Sequence, residues 1–158
     1  MKRYLAFVLC IGLSGLFGAC SKVPPDRTHQ DFSISVFHRT AAEAAQRPAT
    51  PLQVRLFPDE GRAVDTEQSA VSVRRSGVMT YRDGSLSGEG LPGTGTASGV
   101  RTFRQIPNGR YILWVIYNVR NMDYMASSLS LEVGDDLQGR MLVKVFTGMT
   151  PGYYAWNE

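Results

Sequence analysis

The side chains of this sequence that could do chemistry are few, and their spacing decides what they could do. Two cysteines and two histidines are present. Cys20 follows Leu16-Phe17-Gly18-Ala19, at the end of an apolar stretch that begins after Lys2 and Arg3. Residues 1–4 form a short basic head and residues 5–17 a continuous apolar run. Gly18-Ala19 is the small pair that a signal peptidase accepts, so cleavage after Ala19 is expected, with Cys20 first in what remains. The run is shorter than the roughly 20 apolar residues of a membrane span, and it gives way to the polar Ser21-Lys22-Val23-Pro24-Pro25.

His29 lies in this polar segment and His38 at the end of the first expected strand. A zinc site needs further ligands at short spacing, and neither histidine has them. The adjacent carboxylates Asp59-Glu60 and Asp135-Asp136 stand beside Gly61 and Gly134, where solvated turn chemistry accounts for them more simply than acid–base catalysis. Calcium binding is the weaker alternative for Asp135 and Asp136. Gly88-Glu89-Gly90-Leu91-Pro92-Gly93 fits G-x-G-x-x-G, but that fingerprint holds a dinucleotide only where a strand feeds a helix N-terminus, and Pro92 interrupts it. No serine stands in a G-x-S-x-G elbow. We therefore expect no enzymatic activity, no metal and no cofactor. Tyr153, Tyr154 and Trp156 are candidates of another kind, either closing an open end of the domain or stacking on a ligand such as a sugar.

Charge excludes one class of partner. The formal net charge of +3 comes from 17 basic and 14 acidic residues, and Lys2 and Arg3 leave with the signal, so the remainder is close to neutral. Arg74-Arg75, with Arg82, Arg101 and Arg104, comes nearest to a basic patch. The residues are scattered, and no nucleic-acid partner is expected.

The elements that must carry these residues read as strands. Residues 20–31 form a polar tether without apolar period, leaving residues 32–158 for one domain. Phe32, Ile34 and Val36 alternate with Ser33 and Ser35, a half-buried strand. Residues 40–46 are alanine-rich and long enough for a helical turn or two. Leu52, Val54 and Leu56 form a second strand running into the turn Pro58-Asp59-Glu60-Gly61. Residues 70–74 and 78–81 are further short strands, with a hairpin turn at Asp83-Gly84. Residues 88–99, small and turn-forming, read as a loop. Residues 100–106 are extended and end at Pro107-Asn108-Gly109. In Tyr111-Ile112-Leu113-Trp114-Val115-Ile116-Tyr117 both faces are apolar, so this is a central strand covered on both sides. Leu129, Leu131 and Val133 lead to a turn at Gly134-Asp135-Asp136. Met141, Val143 and Val145, with Leu142, Lys144 and Phe146 on the other face, make the last strand. Seven or eight strands with Gly- and Pro-rich turns and no long helix indicate an all-β fold, an antiparallel β-sandwich or barrel.

Leu16-Phe17-Gly18-Ala19-Cys20 resembles the lipobox of bacterial lipoproteins. That resemblance implies diacylation of the Cys20 sulfur, cleavage after Ala19 and acylation of the new N-terminus. With Cys10 lost in the signal and Cys20 carrying lipid, no disulfide within one chain is expected, and the domain holds by packing alone. Ser21 stands where an aspartate would favour inner-membrane retention, so the resemblance implies lipid anchoring at the outer membrane, with the domain in the periplasm. At about 0.8 kcal/mol per buried CH₂, two or three acyl chains make such attachment effectively permanent.

A second resemblance rests on Phe103-Arg104-Gln105-Ile106-Pro107-Asn108-Gly109-Arg110-Tyr111, the strand behind it, and Leu129-Ser130-Leu131-Glu132-Val133 running into Gly134-Asp135-Asp136. These are similar to the carboxypeptidase-regulatory-like and transthyretin-like sandwich domains, over about residues 52–146. Such domains serve as spacers, ligand binders and subunits of assemblies. The architecture is similar to that of small lipoproteins of secretion machines, including the transthyretin-like lipoprotein of type VI secretion and sandwich-type pilotins. The expectation is a non-enzymatic envelope lipoprotein presenting a β-sandwich to a protein partner, as an accessory or assembly subunit of a secretion or envelope complex. The alternatives are a small-ligand or glycan-binding module at the membrane surface, and an envelope protein that neutralises a toxin.

Overall fold

The computed structural model describes residues 28–40, 45–95, 98–119, 123–147 and 150–157. Residues 1–27, with Ala19 and Cys20, lie outside the described residues, as do residues 41–44 of the helical turn expected at 40–46.

The chain forms an all-β sandwich of two sheets, with one helix added to the outside of one of them. The first sheet is built on β1 (His29–Arg39), which begins three residues earlier than expected, so residues 29–31 are strand rather than tether. β1 is flanked on one side by β10 (Met141–Thr147) and on the other by β2 (Arg47–Pro48) and β7 (Val100–Pro107). The second sheet runs in the order β11 (Gly152–Tyr154), β9 (Tyr124–Val133), β8 (Gly109–Asn118), β3 (Leu52–Pro58), β6 (Leu91–Pro92). Its pairings are antiparallel except β11 on β9, and in the first sheet β10 runs parallel to β1. Both parallel contacts join strands that are far apart in sequence or not linked by a tight turn. A short hairpin of β4 (Val78–Thr80) and β5 (Leu86–Glu89) turns at Asp83-Gly84, as expected.

β8 explains the architecture. Strand alternation sends its odd and even residues to opposite faces. Leu113 and Val115 enter the core between the sheets with Phe32, Ile34, Val36, Leu56 and Phe103. Ile112, Trp114 and Ile116 enter a second core on the other face, with Phe57, Ala70, Val73, Met79 and Tyr81. Full burial of each such aliphatic or aromatic side chain contributes about 1.5–3 kcal/mol. The unbroken apolar run of β8 is thus the signature of a strand with a packed layer on either side.

The second covering layer corrects one expectation. Residues 70–74 are not a strand but part of α1 (Thr66–Ser76). Asp65 caps its start, its carboxylate accepting from the Gln68 N–H at 3.0 Å, and Glu67 in the first turn and Arg74 and Arg75 in the last suit the helix dipole. Gly77 closes it in the left-handed conformation at φ 73°, its N–H donating to the Val73 carbonyl. Ser69, Ala70 and Val73 fall on one helical face and are buried. The Ser69 hydroxyl both donates to the Thr80 carbonyl and accepts from the Thr80 N–H, each at 2.9 Å, and so locks the helix to β4.

Residues 88–99 are likewise not all loop: β5 ends and β6 lies within them, and Thr94 bridges Thr102. A Cβ on Gly90 would lie 2.4 Å from the Phe57 ring, so the close approach of this segment to the second sheet requires glycine there.

Candidate functional site

The three C-terminal aromatics do not form one cluster. β11 pairs with β9 so that Tyr153 lies beside Ala126 and Tyr154 beside Ser127, and alternation sends the two rings to opposite faces. Tyr153 packs on the helix side, its ring 5.8 Å from that of Trp114 and its hydroxyl 3.0 Å from Ser128 Oγ. With Tyr124, Thr66, Glu67 and Val71 it lines a groove of about 410 Å³ between α1 and the end of the sheet. Tyr154 and Trp156 pack against the core between the sheets, Tyr154 edge-on to Phe146 at 6.0 Å. Lys144 holds this tail in place. Its side chain is buried, and its ammonium donates to the carbonyls of Ala155 at 2.7 Å and Trp156 at 2.9 Å, near the rings of Phe146 and Trp156. A charge taken from water must find such partners.

The other residues singled out by type hold structure. Asp59 accepts from the Gly61 N–H at 2.9 Å, a side-chain turn, and Glu60 accepts from the Tyr81 hydroxyl at 3.1 Å. The Arg62 guanidinium stacks on the Tyr81 ring at 3.8 Å and bonds to Asp83 at 2.8 Å and to Ser85 Oγ. Burial first, then the bond to Glu60, raises the Tyr81 hydroxyl above its ordinary value. Hydrogen bonds from the Ser85 side chain and backbone, then from Arg62, lower the Asp83 carboxyl to about 2. Asp135 opens the 3₁₀ turn Asp135–Leu137 and accepts from the Gln30 amide at 2.9 Å. Thr28 Oγ1 and His29 Nδ1 lie 2.9 Å apart, while the His38 ring packs on Tyr117 at 5.2 Å near the other end of β1. Gly88 lies within β5 and Gly93 follows β6, and among the described residues the next element is the strand β7 rather than a helix. Arg74 bonds to the Asn118 side chain at 2.9 Å, and Arg101 donates to the Leu52 carbonyl.

The surface that stands out was not singled out by type. The face of the first sheet that points away from the core carries Met141, Val143 and Val145 on β10, in register with Ser33, Ser35 and Phe37 of β1. Across β1 it continues to Thr102 and Val100 of β7. Met141 is 57% exposed and Val143 53%. By residue type, the row Met141, Val143, Val145 is the more apolar of the two faces of β10. The structure instead turns Leu142, Lys144 and Phe146 inward. Phe146, filling the gap near Tyr117 and Tyr154, is the sequence signal for this choice.

No family model matches the chain, and no curated protein matches it in sequence. Among solved structures it is similar to a Pseudomonas aeruginosa protein proposed to bind carbohydrate. The two are 14% identical, the match covers 76% of this chain and 90% of that one, and the TM-score is 0.42.

Proposed function

We propose that this protein is a non-enzymatic envelope lipoprotein, anchored through acylated Cys20 at the outer membrane, whose sandwich offers the outer face of the first sheet to a protein partner. The observation that carries the reading is the contrast in cover. The second sheet is packed on both faces at β8, whereas the first leaves Met141 and Val143 more than half exposed, in one row beside Val145 and Phe37. Contiguous apolar surface of this kind marks an interaction site. Anchoring near the bilayer raises the local concentration of the domain for anything assembling there, which suits an accessory subunit of a secretion or envelope complex.

Two arms test it. In cells, Cys20→Ala abolishes palmitate labelling and releases the chain from the membrane fraction; continued pelleting of the variant refutes the anchor. A photo-crosslinker at Thr102, on the open face, recovers one envelope protein in stoichiometric yield, while the same group at Arg75, on α1, does not. Equal recovery from both positions, or none from Thr102, refutes the face.

A second reading, a glycan-binding module, is favoured by the groove between α1 and β11, where Tyr153 and Tyr124 stand beside Glu67 and Thr66. Aromatic faces next to a carboxylate and a hydroxyl suit a sugar. A panel of glycans that shifts the fluorescence of Trp114, which touches Tyr153, separates this reading from the first.

A further inference from the structure

We infer that the partner docked on the outer face of the first sheet is an acidic protein segment, whose carboxylates, at the two ends of an apolar stretch, meet Arg104 and Arg39. The inference rests on the reading of this face as a protein-binding one, and not on the lipid anchor.

The argument begins with the charges that the strands send outward. Alternation and register put Met141, Val143 and Val145 on the outer face with Ser33, Ser35 and Phe37. The strands of the first sheet also carry Asp31, Arg39, Arg47, Arg101, Arg104 and Lys144, and no other Asp, Glu, Lys or Arg. Three of these cations belong to the opposite face. Lys144 is turned inward to the carbonyls of Ala155 and Trp156. Arg101 stands opposite the buried Ile34 and donates to the Leu52 carbonyl. Arg47 stands opposite His38, in the row of Ile34 and Val36.

The other two cations bracket the apolar row. Arg39 follows Phe37 on the outer side of β1 and is exposed. Arg104 follows the inward Phe103 and is exposed as well. Between the pairs Phe32–Phe103 and Gln30–Ile106 the register gains one residue on β7, so that Arg104 and Gln105 both stand against Asp31. Asp31 is half-buried, and its carboxylate accepts from the Gln105 N–H at 2.7 Å. Among the described residues, neither Arg39 nor Arg104 lies within ion-pair distance of a carboxylate. The face therefore shows two exposed guanidinium groups against one carboxylate that is already bonded. From the level of Asp31 to Arg39, β1 rises about 26 Å, at about 3.3 Å per residue.

These facts choose the occupant. Complementary charge selects a partner and like charge rejects one, so a segment with cations at its ends is disfavoured here. A guanidinium takes a carboxylate through two parallel hydrogen bonds. A bilayer fits less well, because the hydroxyls of Ser33 and Thr102, 2.9 Å apart, lie in the middle of the face, where acyl chains offer no polar contact. The chain itself shows what covers such a row: on the other sheet, the outer apolar row of β8 takes α1, a helix with one buried face.

The test uses the full chain in detergent-solubilised envelope extract, with the photo-crosslinker at Thr102. Capture is expected to fall about tenfold in the chain carrying Arg39→Glu and Arg104→Glu, and to weaken as salt rises from about 0.05 to about 0.5 M. Arg75→Glu with Arg82→Glu, the same change of net charge on α1 and the hairpin, is expected to leave capture unchanged. Sequencing of the crosslinked segment is expected to find Asp or Glu on both sides of an apolar stretch, and exchanging these for Arg is expected to restore capture by the Arg39→Glu, Arg104→Glu chain. Should thermal melting show that this variant fails to fold, Arg39→Gln with Arg104→Gln decides by the same reading. Capture that survives loss of both cations, or a crosslinked segment rich in Lys and Arg, overturns the inference and leaves the proposed function standing. Capture of a second copy alone overturns it too, as does binding of the Cys20→Ala chain to phosphatidylglycerol vesicles that Arg39→Glu with Arg104→Glu abolishes. No capture from Thr102 refutes the face itself, and the inference with it.

Discussion

The two sheets of this sandwich share one core and differ in what lies behind them. Behind the second sheet, α1 and the β4–β5 hairpin pack on Ile112, Trp114 and Ile116. Behind the first, Met141 and Val143 meet solvent. The difference teaches that burial in this fold is set by which strand acquires a third layer, and that the strand left without one among the described residues keeps its apolar row exposed. Both rows are apolar by type, so only the presence of a packed neighbouring element separates core from exposed surface.

That contrast breaks most sharply at Trp114. Trp114 is fully buried between β8 and the covering layer and touches Tyr153, so Trp114→Ala removes a large side chain from a packed site and is expected to cost about 3–5 kcal/mol. Val143→Ala, on the open face, is expected to stay within about 0.5 kcal/mol, given that Val143 is more than half exposed. Urea unfolding of the two variants measures both. Comparable losses would mean that the outer face of the first sheet is covered after all.

The covering layer itself can be loosened without touching the core. Asp65→Ala removes the acceptor for the Gln68 N–H at the start of α1, at an expected cost of about 1 kcal/mol. Hydrogen exchange should then quicken in α1 and β4, which Ser69 and Thr80 tie together, more than in β1 and β10. Uniform acceleration across both sheets would show that the layers do not open separately.

What the sequence disclosed follows the same line. Alternation revealed β1, β3 and β9, and the two-sided apolar run of β8 announced a strand covered on both faces, because these patterns depend only on local period. The cover itself was misread: Ala70, Val71 and Val73 look extended over five residues, and the helix is specified instead at its ends, by Asp65 three residues before Gln68 and by Gly77 after Arg74-Arg75. The parallel contacts of β10 with β1 and of β11 with β9 have no local signal, since no turn links those strands. The inward direction of Lys144 depends on the carbonyls of Ala155 and Trp156, which only the folded tail supplies. The separation of Tyr153 from Tyr154 follows from strand alternation, once β11 is known to be strand.

The smallest effect belongs to the hairpin that completes the covering layer. Asp83 accepts from Ser85 and Arg62, and these bonds hold its carboxyl at about 2. The same contact raises the Arg62 guanidinium, so both partners report one attraction. A carboxyl lowered on folding stabilises the fold fully above its unfolded value. That contribution is lost as the pH falls from the ordinary carboxylate range through about 2. Asp83→Asn is therefore expected to be less stable than the parent chain at neutral pH and to become equal to it only as the pH falls below about 2. The difference should be small, because the pair is exposed and screened by salt. Thermal melts of the two chains across that window measure it. A gap that persists unchanged to the acid end would show that Asp83 acts through packing of the turn rather than through its charge.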